Sequence, residues 1–532
     1  MNASSDLAPV WKRPAGVLAL VAVIHAVLPL LLLGRHWPIG IDESVYLSQI
    51  NAHVPPGGFS APRARGATLL AAPVTAFTSA VAPMREWTAV LSGLGLFLGF
   101  RPWLRLRPGL LVPAAAALFA SIWTVTYYGF QVMPNEWVAF AIVGGCGALL
   151  NFLLDGRRRS LVGAGIALAA AALLRPSDGG YALAALVIAA LLCRTSWRRR
   201  ATAAAVLVLG FAVGAADWVV EAFTTYGGLS ARIAAAQAEQ GGSGLFWSGG
   251  AQLRVLGGPV LCRTGCAAHA APVYWLWWVA AAALLLVAVG GLRRAARPIL
   301  DGAPLLLGTV SAAQYVFTVP YAAPRFLLPA YAALALPCAA GGRSVLDRAR
   351  GTGVRRVVAA TFVVAFLASA AVQVHVITGR LGPRTRAAAV IAYRTARQLR
   401  RAGVVGPCLV IGATGFNGPL AYRLECSNIT PDRAGLVADL RHDVRVAWIR
   451  DTPPSHLWGY HWKRMLIQSP VLSDAYVSTS IRTPVHRVRL ASGPSTRHGG
   501  AIGPGPSRAT QRRHRWLPAT PPGPTATHAG ST

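Results

Sequence analysis

Acidic residues are scarce: the 532-residue chain has 18 Asp and Glu against 51 Lys and Arg, and only 13% of it is charged at all. With 54% hydrophobic residues and a mean hydropathy of +0.47, too little charge remains to solvate the surface of a soluble domain of this length. The formal net charge of +33 raises the possibility of a nucleic-acid partner. The arginines, however, fall in short clusters between apolar blocks and form no face or stripe, so DNA and RNA are not expected partners. The first apolar block, 15–34, follows Trp11-Lys12-Arg13 and lacks a small-x-small cleavage site, so it reads as a retained signal-anchor. Cysteine is sparse as well, with seven residues and no zinc-type spacing. No internal repeat is evident.

What the chain does have is apolar blocks long enough to cross a bilayer. With the first span they number eleven, continuing at 87–104, 109–126, 137–154, 160–174, 181–193, 201–220, 272–291, 298–318, 325–341 and 357–377. If the N-terminus is cytoplasmic, the dense basic clusters fall inside: Arg101/Arg105/Arg107, Arg157 to Arg159, Arg198 to Arg200, Arg293/Arg294/Arg297 and Arg343 through Arg356. The block 66–83 is also apolar, but counting it as a span would put those clusters outside. It is expected to be an interfacial helix in a first outer loop, 35–86.

The fold class expected is therefore an all-α polytopic membrane protein with a small extracytoplasmic α/β domain and a disordered tail. The segments are a membrane domain at 1–377, the α/β domain at 378–489 and a Pro/Gly/Arg-rich tail at 490–532. The α/β domain has a helix-like stretch (RAAAVIAYRTARQLRRAG) and strand-like runs (CLVIGA, VRVAWI). Gly412, Gly415 and Gly418 follow the first strand with the spacing of a dinucleotide-binding turn. No acidic residue closes a second strand, so a plain strand-turn-helix is expected and no dinucleotide. Such a hairpin returns Cys408 and Cys426 to one edge, where a disulfide between them is expected, two buried free thiols being the alternative. Cys262 and Cys266 likewise either pair or stay free, while Cys146, Cys193 and Cys338 are packing residues.

The polar residues of the outer loops all face one side. Asp42 and Glu43 end the first span, Glu136 follows Pro134-Asn135, Arg175 precedes Pro176, and Arg325 closes the loop from Tyr321. Ionisable residues at mid-depth are few, chiefly His25 and His375, whereas a carrier shows the reverse. That contrast favours a site at the outer face over the alternative of a transporter or lipid-linked glycan flippase. A non-catalytic scaffold would leave the alignment unexplained.

In the order IDESVYLSQI, SAPRARGATLLAAPV, MPNEW, LLRPSDGG and PRFLLPAYAALALP, the chain resembles the GT-C superfamily of polyprenyl-phosphate-sugar-dependent glycosyltransferases. The likeness is to its protein O-mannosyltransferase-like and lipid A aminoarabinose transferase-like branch, and it covers residues 11 to 377. The His-Pro-Pro or Lys-Pro-Pro that often follows the first loop is replaced by Ala61-Pro62-Arg63, which leaves the substrate subclass open. The resemblance implies a multi-pass cell-membrane enzyme with an extracytoplasmic active site. It implies transfer from a lipid-linked sugar donor to a hydroxyl of a glycan, lipid or protein acceptor, with inversion.

That chemistry needs a base for the hydroxyl proton and a cationic setting for the departing phosphate. Asp42 or Glu43 supplies the first in this reading. Glu136 positions the acceptor or shares a divalent ion such as Mg or Mn with Asp42. Arg63, Arg65, Arg175 and Arg325 are candidates for the lipid phosphate, since guanidinium matches its geometry. Each has a plainer reading beside it: a carboxylate beyond a span is often a solvated loop residue, Glu43 suits the first turn of a helix, and Arg175 and Arg325 suit headgroup anchoring.

Overall fold

The computed structural model of the chain describes residues 13–263, 266, 271–405, 408–412, 414–429, 445–449, 461–466 and 474–479. The tail expected at 490–532 lies outside the described residues. Every one of the eleven apolar blocks falls on helix. The first is α1 (Pro14–Leu32); the outer loop after it holds α2 (Ile41–Ser48) and α3 (Gly66–Thr75), and α4 (Val81–Phe100) follows. Helix α3 has 10 residues, about 15 Å of rise, half the hydrocarbon thickness. By itself it is too short to cross.

The block 109–126 is split into α5 (Leu111–Ala120) and α6 (Trp123–Tyr128). Ile122 between them is extended, and Gln373 accepts the freed Trp123 N–H at 3.0 Å. A broken backbone inside the bundle has to be satisfied in this way. Next come α7 (Pro134–Asp155), α8 (Arg158–Leu174), α9 (Pro176–Leu192) and α10 (Trp197–Thr225), then two short helices, α11 (Leu229–Glu239) and α12 (Gly249–Arg254). The bundle is completed by α13 (Leu276–Leu292), α14 (Ile299–Thr318), α15 (Leu328–Arg348) and α16 (Thr352–His375).

Proline sets several of these boundaries. A residue before proline is pushed out of the helical region, and Met133, Arg175 and Ala323 are all extended ahead of Pro134, Pro176 and Pro324. Proline then opens the next helical segment, where its missing N–H costs nothing. Arg175 and Arg325 owe their positions at helix breaks to this rule.

Among the described residues, five helical runs are long and apolar enough to cross a membrane by length and composition: Pro14–Leu32, Pro134–Asp155, Trp197–Thr225, Pro272–Leu292 and Thr352–Arg401. Helix α7 is the axis of the bundle, with 89% of its apolar window buried. At the periphery the pattern inverts: Leu276, Val279 and Leu286 on α13 and Val357, Val363, Val364 and Leu367 on α16 are exposed. Apolar side chains facing outward along whole helices make the surface a lipid requires.

The expected boundary at 377–378 has no loop. Helix α16 runs through a π-helical turn, Val376–Leu381, into α17 (Gly382–Arg401). The widened turn lies just ahead of Pro383, which has no N–H to contribute. Beyond it, α18 (Thr414–Leu424) and α17 cover a five-stranded sheet made of β1 (Cys408–Gly412), β2 (Ser427–Ile429), β3 (Arg445–Ile449), β4 (His461–Leu466) and β5 (Asp474–Thr479). The strand order is β2-β1-β3-β5-β4; β1 is parallel to β2 and β3, and β5 is antiparallel to β3 and β4. Cys408 and Cys426 are joined by a disulfide with Cα atoms 4.8 Å apart, and a second bridge links Cys262 to Cys266. Cys146, Cys193 and Cys338 are free and buried.

Candidate active site

Helix α2 starts where the Gly40 N–H donates to Glu43 Oε2 at 3.2 Å and the Ser44 N–H to the Gly40 carbonyl at 2.9 Å. Successive residues on a helix point about 100° apart, so the adjacent carboxylates of Asp42 and Glu43 separate. Glu43 turns inward and is 1% exposed. It pairs with both terminal nitrogens of Arg85, one at 2.7 Å from Oε2, and accepts the Val132 N–H at 2.9 Å. Arg85, fully buried, also donates to the carbonyls of Trp37, Pro38 and Phe130. One ion pair thus ties together the chain before α2, the start of α4 and the turn before α7.

Asp42 turns the other way and receives one arginine on each oxygen: Arg63 Nη2 at 2.7 Å from Oδ1 and Arg325 Nη2 at 2.9 Å from Oδ2. Arg325 also lies over the Phe326 ring, which it shares with Arg175; their guanidinium carbons are 5.2 and 5.4 Å from the ring centre. Arg175 in turn lies 3.3 Å from Asp178 Oδ2, and Gln314 and Tyr315 donate to Asp178 Oδ1. Burial raises the Asp42 pKa, but the positive charges of Arg325, Arg63 and Arg175 outweigh it and hold the carboxyl below its ordinary value. Tyr46, on the same helix, is pushed up by burial.

The remaining candidates lie elsewhere. Arg65 bonds Glu221 Oε1 at 2.6 Å, outside the Asp42 cluster, and Arg232 takes the other oxygen at 2.8 Å. Arg232 also donates to the carbonyls of Ala61 and Arg63 at 3.1 Å each and so shapes the loop that presents Arg63. Glu136 is buried, with Oε1 3.0 Å from His25 Nε2 and 3.1 Å from Ser92 Oγ. It ties α7 to α1 and α4. Both Asp42 oxygens face arginine, while Glu136 meets its partners through Oε1 and its buried Oε2 has no hydrogen-bond partner. Among the described residues no three or more His, Cys, Asp or Glu gather to hold a metal.

The sheet unit sits on the same end of the bundle. Asn51 Nδ2 donates to Tyr422 Oη at 2.8 Å, and Ser79 Oγ meets Glu425 Oε1 at 3.0 Å. Gly418 of α18 approaches α2 so closely that a Cβ there would lie 2.7 Å from Ser44 Oγ. The third glycine of the expected turn is thus required by helix packing.

Arg85, Glu221 and Arg232 were not among the sequence candidates. Arg85 had one signal: a lone cation near the N-terminus of an apolar helix, where the dipole disfavours it, needs a partner.

No protein-family model matches the chain, and no curated protein sequence matches it. Solved structures do share its fold. ArnT from Cupriavidus metallidurans in the apo state superposes with a TM-score of 0.59 at 14% identity, over 87% of this chain and 98% of that one. The same protein bound to undecaprenyl phosphate gives 0.55 at 13% identity over the same shares. The apo oligosaccharyltransferase of Archaeoglobus fulgidus gives 0.54 at 13%, over 80% of this chain and 65% of its own length. The chain shares the fold of these solved structures.

Proposed function

We propose that this chain is an integral membrane glycosyltransferase that moves a sugar from a polyprenyl-phosphate donor to an acceptor hydroxyl at the outer face of the membrane. The observation that carries the reading is Asp42 held between Arg63 and Arg325, with Arg175 one aromatic ring away. A carboxylate bracketed by guanidinium forks is where a phosphate and a nucleophilic hydroxyl can be brought side by side. The neighbour with bound undecaprenyl phosphate supports a lipid phosphate as the donor's anionic group.

The arginines account for both states of the base. Without donor they neutralise Asp42 and depress its proton affinity. An arriving phosphate competes for the same N–H groups, and as they turn to it the Asp42 carboxylate regains its basicity. The acceptor O–H then gives its proton to Asp42 while its oxygen bonds to the anomeric carbon. The bond from that carbon to the phosphate oxygen breaks, and polyprenyl phosphate departs with its charge held by Arg63, Arg325 and Arg175. Attack from the face opposite the phosphate inverts the anomeric centre. Glu43 with Arg85, and Glu221 with Arg232, hold the two walls of this site in place.

The test uses purified protein and a radiolabelled polyprenyl-phosphate sugar. Asp42→Asn is expected to retain donor binding and lose transfer by about a hundredfold or more. Arg325→Ala is expected to weaken binding of the polyprenyl phosphate itself. Full transfer by Asp42→Asn would remove Asp42 from the chemistry, and unaltered lipid binding by Arg325→Ala would remove the phosphate role.

A further inference from the structure

Helix α17 carries Arg384, Arg386, Arg394, Arg397, Arg400 and Arg401 and no acidic residue. Arg386 donates to the Leu32 carbonyl and Arg400 to the Arg423 carbonyl, and among the described residues none of the six meets a carboxylate. Positions 394, 397 and 401 are spaced to share one helix face. Three like charges on one face repel each other, and nothing in the helix itself offsets that. Arg394, Arg397 and Arg401, with Thr395 and Gln398, line a cleft of about 170 Å³. Thr395 is 1% exposed, and its hydroxyl has no hydrogen-bond partner. A buried polar group left unpaired in this way leaves a donor for a ligand atom or a water.

We propose that this cleft binds a phosphate group. Three guanidinium forks supply charge and paired N–H donors, while the Thr395 hydroxyl and Gln398 amide add neutral donors of the kind an oxyanion accepts. A lone carboxylate would leave most of these donors unused. The site is separate from the Asp42 cluster and does not depend on the transfer reaction. Its height admits two sources of phosphate. The base of α17 is tied to the end of α1 through Arg386 and Leu32, and Arg394 lies eight residues further on, about 12 Å along the helix. That is within reach of an anionic lipid headgroup and open to phosphate from solution.

The experiment is modification of arginine by phenylglyoxal, mapped by peptide mass spectrometry, on the full chain in nanodiscs. One set is phosphatidylcholine alone, the other phosphatidylcholine mixed with phosphatidylglycerol. Inorganic phosphate is titrated against chloride at equal ionic strength. Protection of Arg394, Arg397 and Arg401 in the phosphatidylglycerol discs without added phosphate supports the site and assigns it to lipid. Protection in both discs only on adding phosphate supports it and assigns it to soluble phosphate. Absence of protection in every condition overturns the proposal. Because one ligand is shared, Arg397→Gln is expected to shift the midpoint of protection at Arg394 and Arg401 by about tenfold, the loss of one charge-assisted hydrogen bond. An unchanged midpoint overturns the shared site.

Discussion

Replacing Glu43 by Gln keeps the side chain's shape and removes its charge, leaving the fully buried Arg85 guanidinium with neutral acceptors alone, the amide oxygen and the carbonyls of Trp37, Pro38 and Phe130 at 3.1, 2.9 and 2.9 Å. Breaking a buried pair by removing one partner costs about 3–5 kcal/mol. The remaining neutral acceptors place this case near the lower end, about 3 kcal/mol. Arg85→Met is expected to cost at least as much, because it strands Glu43 and frees three carbonyls together. In the double variant neither charge is stranded, so it is expected to be more stable than the sum of the two losses by about 2 kcal/mol or more. The assay is SDS-driven unfolding in mixed micelles, followed by tryptophan fluorescence. Glu43→Gln unfolding within about 1 kcal/mol of wild type, or strictly additive losses, would refute the clamp.

Three further outcomes follow from the geometry. Because the folded-state pKa of Asp42 is depressed, its ionised form stabilises the fold above the ordinary carboxyl pKa of about 4, and that contribution is lost as pH falls through the folded value. The stability difference between wild type and Asp42→Asn should therefore stay level from about pH 8 to 5 and close only below about 4; closure between 7 and 5 would contradict it. The Cys408–Cys426 bridge closes a sequence separation of 18, so replacing both by Ser should cost the sheet unit about 3 kcal/mol in the chain-entropy model. Limited proteolysis near α18 reads this out, and equal resistance to cleavage in the Ser variant would count against it. Finally, cysteines introduced at Ser160 and Ser344 should be protected from impermeant reagents in intact cells, while one at Ser243 is labelled; the reverse pattern would invert the proposed orientation.

The helices were legible because lipid imposes a length: each apolar block of the sequence landed on a helix. Basic clusters implied a sidedness in the sequence, and that expectation is why Asp42, Arg63, Arg175 and Arg325 could be named together. The strands CLVIGA and VRVAWI were readable from β-branched and apolar runs. What the sequence did not disclose is partnership. Asp42 and Arg325 are 283 positions apart, and no local pattern distinguishes that pairing from one with Glu43. Helical geometry says that Asp42 and Glu43 diverge, but only the packed bundle decides which of them faces Arg85. The continuous run from α16 into α17 was missed because the apolar block ends at 377, where the boundary was drawn, while the helix carries on through a π turn.

The arginines sort themselves by a rule that composition hides. Those in clusters, such as Arg157 to Arg159, Arg198 and Arg199, Arg293 and Arg294, and Arg355 and Arg356, are exposed. Four that stand apart in the sequence, Arg85, Arg175, Arg232 and Arg325, are buried or half-buried and paired with carboxylates, whereas Arg35 and Arg254 stand apart and are exposed. The physical reason is desolvation. A cluster of like charges pulled out of water would need as many carboxylates, and this chain has 18 acids for 51 bases, so clusters must stay at the headgroups and in solvent. A single arginine can be buried for one acid. In a chain so poor in acid, a buried acid–arginine pair is a strong constraint on where the backbone runs, and the Glu43–Arg85, Glu221–Arg232 and Asp178–Arg175 pairs all lie around Asp42. Scarcity of carboxylate thereby leaves most of the buried acid–arginine pairs around Asp42, where anionic chemistry is proposed, with Arg107–Asp301 a half-buried pair at the opposite end.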